Sequence, residues 1–188
     1  ATSLQNFPFH PSKTNYFLHV GSAAWYKNRK AVYMAFRNAS AKSPKLDLKL
    51  ILVGPKPQNE ELDPGLSNWF QSHPNSLICL NNLSENSLGE LYKHAKALVF
   101  PSHIEGFGWP PLEAAVHGCP VITTRTGAIS DLLGKYPHYV DADVQASIDQ
   151  TVLQELQSPD PKNVPISLPS HHDCRERYYD LYDQVIKN

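Results

Sequence analysis

Two acidic side chains near one predicted helix start are the residues in this sequence whose type and spacing could do chemistry. Glu105 directly precedes the turn Gly-Phe-Gly at 106–108, and Glu113 follows eight positions later, just inside the helix. Glycines in such a turn let backbone N–H groups approach an anion, and a helix N-terminus favours one. Ionised carboxylates only accept hydrogen bonds, so they suit a ligand that also presents hydroxyls. An anion plus hydroxyls describes a nucleotide sugar.

A purely structural role for the same residues is the alternative. Glu113 could complement the positive end of the helix that begins near Pro110 and ends at Gly118, and it could pair with His117 one turn later. That interpretation leaves Glu105 unexplained, because Glu105 lies before the helix at the predicted end of a strand.

Six short apolar runs predict the strands that would position these acids. They are nearly continuous in apolar character and end in small or turn-forming residues, which is typical of strands buried on both faces. The runs are 16–22, 48–54, 76–80, 97–102, 120–124 and 138–142.

Amphipathic segments between the runs predict helices. Residues 28–42 place Ala31, Met34 and Ala35 on one side, and Ser84 caps a segment over 84–96 with an i, i+3, i+4, i+7 apolar stripe. We expect one domain over 1–188, with its core at about 16–156, a proline-rich crossing loop at 157–168 and a terminal helix at 169–188.

Alternating strands and helices predict an α/β fold, a Rossmann-like three-layer domain with a mainly parallel sheet. A sheet of that kind binds its ligand at the carboxyl ends of the strands. The residues at those ends are 21–28, Asn81 and Asn82, and 103–109.

Composition excludes several classes of protein. Among 188 residues, 41% are hydrophobic and the formal net charge is -1, so the basic excess of a nucleic-acid binder is missing. No apolar run approaches the roughly 18 residues of a membrane span. Cys79, Cys119 and Cys174 form no Cys-x-x-Cys pair, which favours reduced cysteines and a cytoplasmic location. His171 and His172 beside Cys174 lack partner ligands at zinc spacing.

Four segments together resemble one known family. "FPSHIEGFGWPPLEAAVHGCPVITT", "LHVGSAAWYKN", "LICLNNLSENSLGELYKHAKALVFPS" and "TRTGAISDLLG" resemble the C-terminal donor-binding domain of the retaining GT-B glycosyltransferases, group 1 or family 4. Glu105 and Glu113 match the E-x7-E element of that family. The match runs from about residue 16 to about residue 142.

The resemblance implies a role for each matching residue. Glu105 would contact the donor sugar near the reacting carbon and Lys27 would neutralise the diphosphate, so these two are the expected catalytic residues. Glu113 would hold the ribose hydroxyls. The full set of expected donor-binding residues is Gly21, Ser22, Lys27, Asn82, Leu83, Glu105, Gly106, Phe107, Gly108, Trp109 and Glu113.

The resemblance also implies the cofactors and partners. The expected reaction retains configuration and uses no metal and no other cofactor, because positive side chains stabilise the leaving phosphate. The expected donor is a UDP-, GDP- or ADP-sugar, and the expected acceptor is a glycan or a lipid-linked glycan bound by an N-terminal domain that this chain lacks. We therefore expect a carboxyl-terminal half that transfers poorly by itself, within a protein of polysaccharide biosynthesis that could lie at the inner membrane face.

Two departures from the family pattern favour an alternative function. The family usually has a second cation in the phosphate loop, where this chain has Ser22 and Tyr26, and Arg29 on the following helix is expected to point elsewhere. Pro111 removes an N–H that relatives can aim at the phosphate. The alternative is a non-catalytic relative that binds a nucleotide sugar or a protein. A nicotinamide-dependent oxidoreductase fits poorly, because no G-x-G-x-x-G follows the first strand.

Overall fold

The structure is a computed structural model that describes residues 7–58, 60–158 and 165–166. The predicted terminal helix at 169–188, with His171, His172 and Cys174, lies outside the described residues, as does most of the predicted crossing loop.

A parallel sheet of six strands forms the centre of the described region, and each predicted run overlaps one strand. In the sheet the order is β3-β2-β1-β4-β5-β6, and all five neighbouring pairs are parallel. The strands are β1 Asn15–Val20, β2 Leu48–Val53, β3 Leu77–Leu80, β4 Ala97–Phe100, β5 Val121–Thr123 and β6 His138–Tyr139.

Helices connect the strands, as the alternating pattern predicts. They are α1 Arg29–Lys42, α2 Pro64–Ser72, α3 Glu85–His94, α4 Trp109–Val116, α5 Ile129–Leu133 and α6 Gln145–Gln157, with short 3-10 turns at Pro11–Lys13 and Trp25–Lys27. The predicted cap of α3 is confirmed, because the Ser84 hydroxyl accepts a hydrogen bond from the Ser87 N–H at 3.2 Å. At α2, the Asp63 carboxylate accepts from the Leu66 N–H at 2.9 Å in the same way.

Hydrophobic side chains fill both faces of the sheet, which confirms the α/β, Rossmann-like, three-layer prediction. On one face Phe17 and Val99 pack with Val32 and Phe36 of α1 and with Val152 of α6. The other face packs against α3 and α4 through Tyr16, Leu18, Leu91, Phe100 and Leu112. Each large side chain buried in this way stabilises the fold by about 1.5–3 kcal/mol relative to exposure.

Strand order determines where a ligand crevice can open. The chain runs outward from β1 through β2 to β3, and then returns to lie on the other side of β1 as β4. Neighbouring strands therefore lead into loops that diverge, and open α/β sheets bind their ligands at such a point. The two loops at this position are 21–28 after β1 and 101–108 after β4.

Candidate active site between the first and fourth strands

Hydrogen bonds join the two loops that leave β1 and β4. The His103 N–H donates to the carbonyl oxygen of Tyr26 at 2.8 Å. Asn28 has a left-handed backbone with φ of 52°, and its side-chain amide donates to the carbonyl oxygens of Pro101 at 3.2 Å and Ala142 at 3.0 Å. Asn tolerates this conformation better than most residues do, so its backbone ends the 3-10 turn while its side chain connects three loops. Sequence reasoning assigned no role to Asn28.

Lys27 and Glu105, the two expected catalytic residues, form an ion pair. The ammonium nitrogen of Lys27 lies 2.6 Å from Oε1 of Glu105, and the side chains are only 14% and 8% exposed. The same ammonium lies 4.8 Å from the centre of the Phe100 ring, within the range of a cation–π contact. Gly21 lies beside this lysine, because a Cβ placed on Gly21 would be 3.7 Å from Cδ of Lys27. Three predicted site residues are thus brought together from two loops.

The N-terminus of α4 offers fewer amides than a typical helix. Gly108 is the N-cap with φ of 79°, and the first three helical residues are Trp109, Pro110 and Pro111. Since proline has no N–H, Trp109 is the one of these three residues with a main-chain hydrogen-bond donor. The Leu112 N–H already donates to the carbonyl oxygen of Gly108 at 3.3 Å. The predicted loss of a donor at Pro111 therefore extends to Pro110.

Exposed aromatic side chains lie in the loop after β1 and around the N-terminus of α4. Phe107 and Trp109 are 40% and 60% exposed, and their ring centres are 4.4 Å apart. Across the crevice Trp25 is 75% exposed and stacks on His103 at 6.1 Å. The Trp109 ring is therefore largely exposed to solvent.

Glu113 lies on the side of α4 that faces α3. Its Oε2 accepts a hydrogen bond from the Tyr92 hydroxyl at 2.9 Å. The predicted pairing of the Glu113 carboxylate with His117 is wrong, because Nδ1 of His117 lies 2.8 Å from the main-chain carbonyl oxygen of Glu113 and the carboxylate bonds Tyr92 instead. A cavity of about 240 Å³ adjoins the carboxylate, and Leu88, Tyr92 and His117 are among its lining residues. Glu105 contacts the β1 side and Glu113 contacts α3, so a ligand that reaches both must cross the N-terminus of α4.

The loop after β5 supports the turn that holds Glu105. The Ala128 N–H donates to the carbonyl oxygen of Gly106 at 3.0 Å, and the Thr124 hydroxyl donates to that of Ser102 at 2.6 Å. Arg125, an exposed cation at this edge of the sheet, lies 3.7 Å from the centre of the Tyr139 ring. The two supporting contacts could not be predicted from the sequence, because both end on main-chain oxygens.

The remaining predicted donor-binding residues lie at the carboxyl edge as expected. Ser22 is exposed, and its hydroxyl lies 3.4 Å from the Ala24 N–H as an acceptor. Asn82 is exposed with a left-handed φ of 54°, whereas Leu83 packs against the core beneath α3. Asp131 lies in the first turn of α5, where the helix dipole favours an acid.

Arg29 does not supply the second cation. Its guanidinium is buried at 2% exposure and donates to the Tyr33 hydroxyl at 2.7 Å. It also lies 3.0 Å from the carboxylate of Glu61. The expectation that Arg29 points away from Lys27 is confirmed.

His19 lies beneath the loop after β1 as a buried neutral base. Its Nδ1 lies 2.8 Å from the carbonyl oxygen of Val99, which can only accept, so Nδ1 carries the proton. Its Nε2 faces Gly21, since a Cβ on that glycine would be 3.2 Å away. Complete burial is the main reason that the pKa of His19 falls from 6.5 to about 4.

His19 should therefore make stability depend on pH in a defined window. Between the unfolded pKa of 6.5 and the folded pKa of about 4, the unfolded chain binds the extra proton, so stability falls as pH falls. We expect the wild-type chain to lose roughly 3 kcal/mol across this window relative to His19→Asn, whose amide can still donate to Val99. Urea unfolding at pH 7.5, 6, 5 and 4 measures the difference. Parallel curves for the two chains would contradict it, and His10→Asn at an exposed position is the control.

The described part of the chain contains neither a metal-binding cluster nor a membrane-crossing helix. Within it, no three His, Cys, Asp or Glu side chains come close enough together to hold a metal ion. None of its helices combines the length and the apolar character needed to cross a membrane.

Comparisons with known proteins agree on one family. The family model described as glycosyl transferases group 1 matches residues 2–154. The O-antigen chain mannosyltransferase RfbU of Salmonella typhimurium is 31% identical over 148 residues, which are 79% of this chain and 40% of that protein. The serotype-specific mannosyltransferase WbdA of Escherichia coli is 29% identical over 143 residues, 74% of this chain and 17% of that protein. The chain thus spans well under half the length of these relatives.

Solved structures show the same fold at low identity. WaaG, a glycosyltransferase involved in lipopolysaccharide biosynthesis, superposes with a TM-score of 0.61 at 23% identity, over 78% of this chain and 39% of that one. A UDP-forming α,α-trehalose-phosphate synthase from Burkholderia vietnamiensis gives 0.62 at 10% identity, over 79% and 38%.

Proposed function

This chain belongs to the glycosyl transferases group 1 family, and from that premise we propose that it is the donor-binding domain of a retaining glycosyltransferase. The reaction we propose moves a hexose from a nucleotide sugar to a glycan or glycoconjugate acceptor. The observation that supports it most directly is the Lys27–Glu105 pair, which sets one cation and one acceptor-only group side by side at the β1/β4 crevice.

The pair matches the two halves of a nucleotide sugar. Lys27 would turn from Glu105 to the diphosphate, whose charge grows as the bond to the sugar breaks, and would stabilise that charge. Glu105, released from the lysine, would accept hydrogen bonds from the sugar hydroxyls. A ligand that carries only one of the two parts would leave one member of the pair poorly satisfied. In this proposal the lysine replaces a metal, so EDTA should leave donor binding unchanged.

Glu113 would bind the nucleoside. Its carboxylate adjoins the cavity of about 240 Å³ next to α3, and a carboxylate suits the vicinal hydroxyls of a ribose. Asn82 and Leu83, in the loop before α3, would flank the base. The N–H groups of Phe107, Gly108 and Trp109 would contact the bridging phosphate and the sugar.

The names of the relatives suggest which donor to test first. RfbU and WbdA are named as mannosyltransferases of O-antigen and serotype-specific chains. We therefore propose mannose as the first candidate sugar and polysaccharide biosynthesis in the cytoplasm as the setting. We propose that the acceptor binds to a region that corresponds to the part of the relatives outside their match with this chain. We therefore expect no efficient transfer from these 188 residues alone.

Replacing Glu113 tests the proposal. We expect titration calorimetry to show that the chain binds one of GDP-mannose, UDP-glucose and ADP-glucose in preference to the others. Glu113→Gln keeps the size of the side chain and removes its charge, so binding of the preferred donor should weaken by roughly 10- to 100-fold. Glu90→Gln, on the same side of the molecule but paired with Lys93 at 3.5 Å, should bind as the wild type does. Failure of all three donors to bind would contradict the proposed function.

A non-catalytic binding module is the second candidate. The two prolines in the first turn of α4 and the inward-facing Arg29 favour it, because both reduce the positive potential around the phosphate. A longer protein that includes the acceptor domain separates the candidates. A transferase releases nucleoside diphosphate only when donor and acceptor are both present, whereas a binding module retains the donor unchanged.

A further inference from the structure

Tyr92 is a buried residue whose polar end reaches the candidate nucleoside site. It belongs to α3, is 1% exposed, and its hydroxyl donates to Oε2 of Glu113 at 2.9 Å. Burial, and then the charge of Glu113, raise the pKa of Tyr92, so the phenol stays protonated and remains a donor at any physiological pH.

Packing fixes the Tyr92 ring independently of that hydrogen bond. The His117 ring stacks on it with 5.7 Å between centres and 28° between planes. His117 is itself fixed, because its Nδ1 contacts the carbonyl oxygen of Glu113 at 2.8 Å. Gly89 makes room for this arrangement, since a Cβ there would come within 2.8 Å of Nε2 of His117. The fixed phenol of Tyr92 therefore donates its hydrogen bond to the glutamate side chain of Glu113, which is flexible in itself.

The hydrogen bond from Tyr92 holds the carboxylate of Glu113 through one of its two oxygens. Among the residues that the structure describes, Tyr92 is the hydrogen-bond partner of the Glu113 carboxylate, and it uses Oε2. Glu113 also lines the cavity of about 240 Å³ beside α3. Without the phenol, the three side-chain torsions of the glutamate would have to be ordered when the ligand binds, at the expense of affinity.

We propose that Tyr92 is a positioning residue, which holds Glu113 in the rotamer that presents its carboxylate to the ribose diol of the donor. This inference rests on the proposed role of Glu113 as the ribose ligand. Its consequence is selective, because Tyr92 would favour ribose over deoxyribose and would have no effect on the diphosphate or the base.

Tyr92→Phe and Tyr16→Phe form a matched pair for the test. Tyr16 is also fully buried, and its hydroxyl also donates to α3, but to the carbonyl oxygen of Leu91 at 2.7 Å. Each variant thus deletes one buried hydroxyl and one hydrogen bond. We expect similar losses of stability in urea, so any difference in ligand selectivity arises from the partner of the hydroxyl.

The measurement is calorimetric affinity for GDP and UDP and for their 2′-deoxy forms. We expect Tyr92→Phe to weaken binding of the ribonucleotide about tenfold and to leave the deoxy form unchanged, so that the ribose preference falls about tenfold. Tyr16→Phe should keep the wild-type preference. In a Glu113→Gln background, Tyr92→Phe should have no further effect on the preference.

The outcomes separate this inference from the proposed function. If the wild-type chain binds a nucleotide through Glu113 but Tyr92→Phe keeps the ribose preference, the positioning role is wrong and the proposed function stands. An equal loss for ribo and deoxy forms would reduce Tyr92 to a structural residue. If neither nucleotide binds the wild-type chain, the proposed function fails and this inference fails with it.

Discussion

The Lys27→Met chain should bind its nucleotide sugar about 100-fold more weakly than the wild-type chain. The lysine is the candidate diphosphate contact and lies 2.6 Å from Glu105 at 14% exposure, so its charge acts in a partly desolvated crevice. Loss of a charged hydrogen-bonding partner in such a place removes about 2–3 kcal/mol of binding energy. Arg29 cannot compensate, because its guanidinium is held by Tyr33 and Glu61. Titration calorimetry measures the loss.

Lys27→Met should also destabilise the fold, and a second substitution can reverse the loss of stability without restoring donor binding. Methionine leaves Glu105 as a largely buried carboxylate, at 8% exposure, without its cation, which we expect to reduce the free energy of unfolding by about 3 kcal/mol. The double variant Lys27→Met with Glu105→Gln should recover most of that stability and none of the binding. Urea unfolding and calorimetry on the same samples therefore distinguish a lost ligand contact from a damaged fold.

Lys30→Met is the matched control for Lys27→Met. Lys30 follows three residues later, in the first turn of α1. Its ammonium is 3.3 Å from Asp63 at the surface, and both side chains are at least 40% exposed. Surface pairs of this kind contribute little, so stability and binding should both change slightly. Equal donor binding by Lys27→Met and Lys30→Met would remove Lys27 from the site.

Gly108→Ala should be among the most damaging single-methyl changes in the described region, with a loss of about 2–5 kcal/mol of stability. The residue has φ of 79°, where a side chain is strained, and its new Cβ would lie 2.4 Å from Cγ1 of the buried Ile129. Backbone strain accounts for about 1–2 kcal/mol and overpacking for a further 1–3 kcal/mol. Since Gly108 caps α4, donor binding should fall as well.

Alanine substitutions at two other glycines separate backbone strain from overpacking in the Gly108→Ala loss of stability. Gly106 has no atom within 4 Å of its hypothetical Cβ and no positive φ, so Gly106→Ala should be close to neutral. Gly134 has a positive φ of 53° but open space around the Cβ position, so Gly134→Ala should show the backbone strain alone. Equal stability for all three variants in denaturant unfolding would refute the predicted clash with Ile129.

The sheet could be predicted from the sequence because its strands are apolar on both faces. Residues 97–100, for example, are all buried, and a run such as Ala-Leu-Val-Phe has no polar face for a helix or an edge strand to expose. The predicted runs extended past the true strand ends at residues 21–22 and 101–102. There Gly21 and Pro101 begin the loops, and apolar content does not distinguish a buried loop residue from a strand residue.

Helix prediction succeeded where a cap and an apolar stripe coincide. α3 has both, with Ser84 as its cap and Leu91 and Tyr92 on its buried side. Neither α2 nor α5 was delimited from the sequence. α5 has five residues and α2 has nine, of which Leu66 is the one buried side chain. Segments that short lack the repeated spacing from which a helix is recognised.

The site residues stay predictions from the sequence, whereas the contacts that these residues make could not be predicted from it. Family resemblance indicated Lys27, Glu105 and Glu113 by position alone. The contact between Lys27 and Glu105 spans 78 residues, and it depends on β1 lying next to β4. The choice of Tyr92 over His117 as partner of the Glu113 carboxylate depends on how α3 and α4 pack. Neither fact follows from local spacing.

The contacts that join the loops around the crevice have an evolutionary consequence. Asn28, Thr124, and the N–H groups of His103 and Ala128 all donate to main-chain oxygens, namely those of Pro101, Ala142, Ser102, Tyr26 and Gly106. A point substitution cannot delete a peptide carbonyl. The residues at the accepting positions can therefore change identity in evolution while the hydrogen bonds between the loops persist. Such contacts are therefore robust to mutation at the accepting positions.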